Sequence, residues 1–340
     1  MKNKKGLLII NPISGTRSKQ GLEERVKDRL ALQGIEIKTR VTKGSGDAFR
    51  WAREAVGKGY DLVISAGGDG TVNEVANAIS FTDCTLGILP FGSGNGLARS
   101  VGIPQDTMAA LKLIEEGHVL ISDRGIVNQK PFYCTFGIGF DAAVSEKFSH
   151  MKKRGRVTYI RSAFREFLNY RSQAYAIMVD DKVVTEKALL IAVCNAPQYG
   201  NNAYIGPKAK LTDGMLDITV VHADNTFPIL LLMSIDMFTG MLDKNRGITT
   251  FKAPALTIAR MEEGPVHLDG EPMHMGKVLE ISCERNALRV FAPEKESQFH
   301  PFISPLRAVL DDMRYDVMDK FRQPGLPLNS SKSKSQKEKP

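Results

Sequence analysis

The chain has 340 residues, of which 42% are hydrophobic and 7% aromatic, a composition that supports folded cores and excludes an intrinsically disordered protein. Forty-six Lys and Arg residues against 38 Asp and Glu give a net charge of +8, which favours anionic partners without choosing among phosphates, nucleic acid and acidic lipids. The four cysteines are scattered and form no CxxC pair, which excludes a zinc knuckle and indicates a reducing cytoplasm.

Strand-like and helical segments alternate over residues 1–125. The predicted strands are 7–10, 35–41, 62–66 and 86–89. Helical patterns between them begin at Leu22, at Asp47 and at about Thr71. This alternation predicts an α/β domain with a mainly parallel sheet. Each predicted strand ends in a turn rich in Gly, Asn or Ser, and ligands of open α/β sheets bind outside the carboxyl ends of the strands, so the domain is predicted to bind a nucleotide.

From about Ile126 the pattern changes to repeated short β-rich runs, which predicts a mostly β second domain over 126–285. The predicted strands of this part are 131–136, 174–179, 182–185, 189–194, 216–221, 255–259 and 278–283, with a closing strand at 286–291. Helices are predicted at 157–170 and 305–321, and the Lys-rich end at 326–340 is predicted to be disordered.

The turn Gly67-Gly68-Asp69-Gly70-Thr71 follows a predicted strand and opens a predicted helix. Glycines leave room for a phosphate to approach the backbone, and a helix N-terminus supplies N–H donors and a partial positive charge. Thr71 also suits the N-cap position, with Glu74 three residues later completing a capping box. The turn is therefore either a phosphate cradle or a well-capped turn without a ligand.

Three more turns, at 11–15, 42–46 and 92–96, are expected at the same edge of the sheet. None of them fits the GxxxxGK[ST] phosphate loop, and 92–96 lacks the GxGxxG spacing of a dinucleotide fingerprint. The convergence of four such turns favours a nucleotide site of neither common type.

Four motifs then occur in order: Asn11-Pro12-Ile13-Ser14-Gly15, GGDGTVNEV from Gly67, LPFGSGN from Leu89, and Leu268-Asp269-Gly270-Glu271. Together they resemble the diacylglycerol kinase catalytic-domain family, which includes bacterial lipid kinases, sphingosine kinases and ceramide kinases. The resemblance covers about 7–291. It implies ATP and Mg²⁺, an α/β nucleotide domain similar to NAD kinases and phosphofructokinases, and a β-sandwich second domain from which the chain returns to the first at about 286–325.

The resemblance also implies site residues. ATP is assigned to the turns already described, at Asn11, Pro12, Ser14, Gly15, Thr42, Gly67, Gly68, Asp69, Gly70, Thr71, Asn73, Glu74, Gly92, Ser93, Gly94 and Asn95. Mg²⁺ is assigned to Lys210, Asp213 and Met215, through the Asp carboxylate and backbone carbonyls. Without the resemblance, Thr212-Asp213-Gly214 is typical of a plain β-turn.

For the chemistry, the resemblance implies that Glu271 accepts the proton of a lipid hydroxyl, with Asp269 close by. A carboxylate in this position needs only to orient the hydroxyl and take its proton late, because phosphoryl transfer depends mainly on positioning and charge neutralisation. Asp69 is the second candidate, since sphingosine kinases are similar at GGDG and are thought to use that Asp.

The identity of the lipid is open at this point. Gly96 stands where many bacterial diacylglycerol kinases of the family have Asp, and the GSGN form is more similar to sphingosine and ceramide kinases. A sphingoid base carries a positive amine that would favour an additional carboxylate, for which Asp141 is a candidate. Asp141 as the cap of a following helix is the alternative.

Several basic residues follow or lie within the glycine turns and are weaker candidates to reach a triphosphate, namely Arg17, Lys19, Lys43 and Arg99. The six histidines show no metal-binding spacing, and none of them, including His267, is assigned a role.

The expected partner is a lipid substrate at a membrane surface. An apolar and basic segment, Phe148, Met151, Lys152, Lys153, Arg154 and Arg156, suits an anionic bilayer, which predicts a cytoplasmic protein peripheral to the inner face of the membrane. No aromatic and basic motif of an RNA-binding module is present, so no nucleic-acid partner is expected. A homodimer is left open, as are two other functions: a kinase of a soluble substrate such as NAD, and a non-catalytic nucleotide sensor.

Overall fold

The structure is a computed structural model that describes residues 4–149, 170, 172–222, 233, 235–294, 301–307 and 309–310. The predicted helix at 157–170, apart from Tyr170, lies outside these residues, as do the basic residues of the predicted membrane segment and the tail at 326–340. In the described part of the chain, no helix is both long enough and apolar enough to cross a membrane.

Four parallel strands form the sheet of the first domain, in the order β2-β1-β3-β4. They are β1 (Lys4–Ile10), β2 (Ile35–Val41), β3 (Leu62–Gly67) and β4 (Thr85–Pro90). The helices of this domain are α1 (Leu22–Ala31), α2 (Asp47–Gly57), α3 (Asp69–Ile79), α4 (Gly96–Val101) and α5 (Thr107–Glu116). All residues of β3 and β4 are buried, as expected for parallel strands covered on both faces. Since the strands are parallel, the turns that follow them meet at one edge.

The second domain is mainly antiparallel. Its strands are β5 (Val119–Val127), β6 (Lys130–Phe132), β7 (Thr135–Gly139), β8 (Gln173–Val179), β9 (Lys182–Cys194), β10 (Leu216–His222), β11 (Ile248–Ala253), β12 (Ala255–Arg260), β13 (Gly264–Leu268), β14 (Glu271–Met275) and β15 (Val278–Phe291). Helix α6 (Phe140–Ser149) follows β7, and a 3₁₀ turn spans Leu242–Lys244. The predicted α/β domain followed by a mostly β domain is confirmed.

Strand β15 passes from the second domain into the first. Its first half pairs antiparallel with β12, and Arg289 and Val290 pair parallel with β4. Beside it, the buried Asp123 of β5 accepts hydrogen bonds from Gly214 N (2.7 Å) and Asn286 N (2.8 Å). The two halves of the chain are therefore joined by a continuous ladder.

Five predicted runs of the β-rich part are divided differently in the structure. The run 131–136 is divided into β6 and β7, because the backbone N–H groups at its break donate to the distant side chain of Asp269. The runs 182–185 and 189–194 form the single strand β9, whose exposed first half accommodates charged residues between them. The runs 278–283 and 286–291 are both part of β15, with a register shift between Glu284 and Leu288.

Candidate active site

A cleft of about 390 Å³ opens at the carboxyl ends of β1 and β2 beside the start of α3. Its lining residues are Asn11, Pro12, Ile13, Thr42, Lys43, Gly44, Ser45, Ala48, Gly70, Thr71 and Glu74. Six residues predicted to bind ATP are in this lining. Asn11 connects the first loop to α3, because its Nδ2 donates to Thr71 Oγ1 at 3.0 Å.

Helix α3 begins at Asp69, directly after β3, so its N-terminus points into this region. The first N–H groups of a helix have no intrahelical acceptor, and the helix dipole adds a partial positive charge. Gly70 and Thr71 lie in this first turn and line the cleft. An anion such as a phosphate is the ligand that this arrangement favours.

The predicted capping box at Thr71 and Glu74 is wrong. Gly68 occupies the N-cap position of α3, and no side chain caps this helix. Thr71 lies inside the first turn, where its hydroxyl is already the acceptor for Asn11. Glu74 instead extends to α2, where it accepts hydrogen bonds from Gly46 N (2.8 Å) and Ala48 N (3.0 Å). Its carboxylate therefore caps α2 and holds the 42–46 loop against α3.

Several glycines of the turns are required by contacts within the protein. A Cβ atom on Gly15, whose φ is +64°, would lie 1.8 Å from Phe91 O. A Cβ atom on Gly92 would lie 2.7 Å from Gly68 Cα, and one on Gly94 would lie 2.9 Å from Asp69 Oδ2. Real side chains do not fit at such distances. These glycines therefore allow three loops to pack backbone against backbone before any phosphate is bound.

The carboxylate of Asp69 joins two of these loops. Its Oδ1 accepts a hydrogen bond from Gly96 N (2.6 Å) and its Oδ2 accepts one from Asn95 N (2.9 Å). Burial raises the pKa of Asp69, and the two backbone N–H groups oppose that rise. Both oxygens thus hold the start of α4 in place.

The 92–96 loop places its own polar side chains differently. Asn95 is buried, and its Nδ2 donates to Gly92 O (2.9 Å) and Gln105 Oε1 (2.8 Å). This side chain supports the loop from within. Ser93 is exposed at the tip. Of these two predicted ATP residues, only Ser93 has a side chain placed to meet a ligand from solvent.

Asp269 lies in the turn between β13 and β14, with a φ of +51°. Its Oδ1 accepts from Cys134 N (2.7 Å) and Thr135 N (2.9 Å), and its Oδ2 accepts from Tyr133 N (2.9 Å) and Asn73 Nδ2 (3.1 Å). Burial raises the pKa of Asp269 despite its three backbone donors. Four donors therefore fix this turn to α3 and to the segment before β7.

Glu271 begins β14, one residue after this turn. Its Oε1 lies 2.8 Å from the position that a Cβ on Gly70 would occupy, so the carboxylate rests on the glycine turn. Partial burial of the carboxyl group, and then the charges of Asp269 and Glu74, raise the pKa of Glu271. Solvent still reaches this residue.

Most of the basic residues predicted to reach a phosphate bind backbone carbonyls instead. Arg17 donates to Pro90 O and to Gln105 O, and Lys19 donates to Ser14 O at 2.6 Å. Arg99 donates to Gly94 O at 3.1 Å. They stabilise the loops around Phe91, whereas Lys43 lines the cleft.

Of the residues predicted to bind Mg²⁺, Asp213 makes several contacts within the protein. Asp213 Oδ2 is 2.7 Å from the ammonium group of Lys252, which also lies 3.0 Å from Asp217. Asp213 Oδ1 accepts from Met215 N, and its carbonyl accepts from Arg285. Each oxygen of Asp213 thus has at least one partner within the protein. The described residues also contain no group of three or more His, Cys, Asp or Glu arranged to hold a metal.

A buried polar cluster behind the Glu271 hairpin was missed by the sequence analysis. Asp141 Oδ2 accepts a hydrogen bond from Tyr199 Oη at 2.8 Å and lies 3.1 Å from His267 Nε2. The predicted capping role of Asp141 is wrong, because Asp141 is the second residue of α6 and its Oδ1 accepts, among the described residues, only from the adjacent Ala142 N. His267 is 1% exposed and has a partner that only the fold places beside it.

Comparison with known proteins identifies the family. Residues 5–125 match the diacylglycerol kinase catalytic domain, and residues 135–292 match the YegS C-terminal NAD kinase beta sandwich-like domain. A Klebsiella pneumoniae protein named probable lipid kinase YegS-like is 32% identical over 294 residues, covering 84% of this chain and 95% of that protein. A Pseudomonas aeruginosa protein of the same name is 31% identical over 286 residues, covering 81% and 92%.

The fold is also similar to a solved structure, a putative diacylglycerol kinase from Bacillus anthracis str. Sterne. The TM-score is 0.71 at 29% identity, and the match covers 86% of this chain and 97% of that one. The fold and the site define a class of kinase that has a glycine-rich turn in its α/β domain and a β-sandwich second domain. The chain belongs to the diacylglycerol kinase catalytic-domain family, and it is a kinase of the lipid-kinase type.

The packing of the glycine turns gives a first prediction. Gly92→Ala inserts a Cβ where Gly68 Cα and Asn95 Oδ1 already lie, so we expect a loss of about 1–3 kcal/mol in stability and weaker ATP binding. Thermal unfolding and nucleotide titration measure the two effects. Gly57→Ala at the end of α2 is the control, since it lies outside the cleft lining and its Cβ would meet no atom within 4 Å. Equal behaviour of the two variants would contradict the proposed packing role.

The ion pairs of Asp213 give a second prediction. In nucleotide-free protein, we expect the melting temperature to be the same in EDTA and in Mg²⁺, because the ammonium group of Lys252 already forms ion pairs with both Asp213 and Asp217. Lys252→Met should melt lower in EDTA and regain stability with added Mg²⁺ or Ca²⁺. Lys208→Met, which breaks an ion pair with Asp243, is the control and should show no such recovery. A Mg²⁺-dependent stabilisation of the wild type that Asp213→Asn abolishes would refute this account.

Proposed function

We propose that the protein transfers the terminal phosphoryl group of MgATP to the hydroxyl group of a neutral lipid of the diacylglycerol type. The observation that carries this proposal is the position of Glu271, whose Oε1 rests against Gly70 at the N-terminus of α3. A carboxylate that can take a proton thereby lies beside the turn best suited to bind phosphate. The names of the relatives, lipid kinase and diacylglycerol kinase, agree with this reaction.

The nucleotide enters the cleft between the 11–15 and 42–46 loops. Its phosphates meet the first N–H groups of α3 at Gly70 and Thr71, and Lys43 in the lining adds positive charge. Asn11 and Glu74 act indirectly, since Asn11 holds the first loop against α3 and Glu74 holds the 42–46 loop against it. Rigid placement of the phosphates matters because phosphoryl transfer is catalysed mainly by positioning and charge stabilisation.

Glu271 orients the lipid hydroxyl and accepts its proton as the new bond to phosphorus forms. Its carboxylate forms no hydrogen bond with the described residues, so both oxygens are available to a substrate. Asp69 and Asp269 are the two other candidates for this role, but each has both oxygens engaged by N–H donors. Their function is to fix the loops on either side of Glu271.

One feature favours a neutral lipid over a sphingoid base, and a second removes an objection to diacylglycerol. The carboxylate of Asp141 is 8% exposed and bound by Tyr199 and His267, so it does not offer a counter-charge to a substrate amine. Gly96 is explained by packing, because a Cβ there would lie 3.2 Å from Tyr199 O and 3.4 Å from Cys134 Sγ. The replacement of Asp by Gly96 is therefore no argument against diacylglycerol.

The lipid substrate also requires contact with a membrane surface. We propose peripheral binding to the cytoplasmic face, supported by the net charge of +8, which favours anionic headgroups. Transfer would then occur to a hydroxyl presented at the bilayer surface.

A panel of acceptors tests the proposed reaction. With labelled ATP and Mg²⁺, we expect phosphate transfer to diacylglycerol in mixed micelles, and little or none to sphingosine, ceramide or NAD. Labelling of sphingosine in preference to diacylglycerol would overturn the assignment of Asp141. Labelling of NAD without any lipid would overturn the lipid-kinase proposal.

The role of Glu271 gives a further prediction. Glu271→Gln should retain the affinity for ATP, but its kcat should fall by about a hundredfold or more, because the amide of the glutamine cannot act as a base. In the wild type, the acid limb of the kcat/KM profile should lie above about pH 4.3, since Glu271 must be deprotonated and its pKa is raised. Unchanged turnover in Glu271→Gln, with loss of turnover in Asp69→Asn, would transfer the base to Asp69.

A further inference from the structure

The cluster of Tyr199, Asp141 and His267 lies between two parts of the site that the proposed reaction must bring together. The two residues that follow Tyr199 contact the 92–96 loop: Gly200 packs against Gly94, and Asn201 N donates to Gly94 O at 3.2 Å. Its other end reaches the β13–β14 turn, where Gly270 N donates to His267 Nδ1 at 3.4 Å. Glu271 is the next residue.

The hydrogen bonds indicate which ring nitrogen of His267 carries the proton. Because Nδ1 accepts from the backbone of Gly270, the ring proton is on Nε2, which donates to Asp141 Oδ2. The same oxygen accepts from Tyr199 Oη. The His267 ring, held by a carboxylate, has a fixed orientation, and its second nitrogen is then directed at the turn.

The surrounding packing leaves this cluster little freedom. A Cβ on Gly137 would lie 2.2 Å from both Asp141 Oδ2 and His267 Nε2, so the backbone of β7 presses directly on the pair. The Tyr199 ring meets the His267 ring edge to face, with centroids 5.5 Å apart. Groups buried so closely keep one arrangement.

We propose that Tyr199, Asp141 and His267 are positioning residues that hold the Glu271 hairpin at a fixed place relative to the loop of Gly94 and Gly96. The proposal rests on the proposed function of Glu271 as the base. Asp269 fixes the front of the turn through its four donors, and His267 fixes the turn from behind through Gly270 N. A small displacement of a reacting group is enough to cost a large factor in rate.

Tyr199→Phe and His267→Gln test the proposal, because each removes one link and keeps most of the side-chain volume. We expect kcat for the lipid to fall by about tenfold in each, with the KM for ATP unchanged. His274→Gln is the matched control, since this exposed histidine lies on the same hairpin and its Nε2 is 3.5 Å from Glu146 Oε1, away from the cluster. It should retain the wild-type kcat.

A double-mutant cycle separates positioning of Glu271 from a general structural effect. In the Glu271→Gln background, Tyr199→Phe should cause no further loss of kcat, because no base remains to be positioned. An equal loss in both backgrounds, or a wild-type kcat in both single variants, would overturn the proposal while leaving the lipid-kinase function intact.

Hydrogen exchange tests the same proposal without any assay of activity. The backbone amides of residues 269–275 should exchange faster in Tyr199→Phe than in the wild type, and His274→Gln should leave the amides at 269–271 unchanged. Unchanged exchange at 269–275 in Tyr199→Phe would refute the positioning role. A protein that phosphorylates no lipid but shows the faster exchange would refute the proposed function alone.

Discussion

Asp269 accepts hydrogen bonds from four N–H groups that belong to two distant parts of the chain, the side chain of Asn73 on α3 and the successive backbone amides of 133–135. Through these bonds, a turn of the second domain is attached to α3, the helix that begins in the glycine turn of the first domain. Glu271 directly follows that turn and is therefore positioned by it. The bonds also explain why β6 and β7 are separate strands, because the amides between them face Asp269 and not a neighbouring strand.

The glycines of the site have two physical functions that the sequence alone does not separate. Gly70 leaves the helix N-terminus open and gives room to the carboxylate of Glu271. At Gly15, Gly92 and Gly94, other atoms of the protein occupy the space where a Cβ would lie. The cleft exists because these loops approach one another closely. The close packing at Gly15, Gly92 and Gly94 is therefore needed for the turn of Gly70 to accept a phosphate.

Local sequence patterns were sufficient to predict the parallel strands, and β2 was predicted at its observed bounds because strand and turn signals are both local. Partners far apart in sequence were beyond such patterns. Glu74 was assigned to its own helix, although its carboxylate caps α2, some 26 residues earlier in the chain at Ala48. His267 had no assigned role, because Asp141 lies 126 residues away and only the strand pairing brings the two together.

The acidic residues around the glycine turn differ in how completely their carboxylates are bound. Burying several negative charges beside a phosphate site is unfavourable unless each receives hydrogen bonds. Asp69, Asp269 and Glu74 receive them from N–H groups, mostly of the backbone. Glu271 receives none from the described residues, and its pKa is raised by burial and by those neighbouring charges. A substrate hydroxyl could donate to this exposed carboxylate, whose raised pKa makes it more basic than an ordinary glutamate.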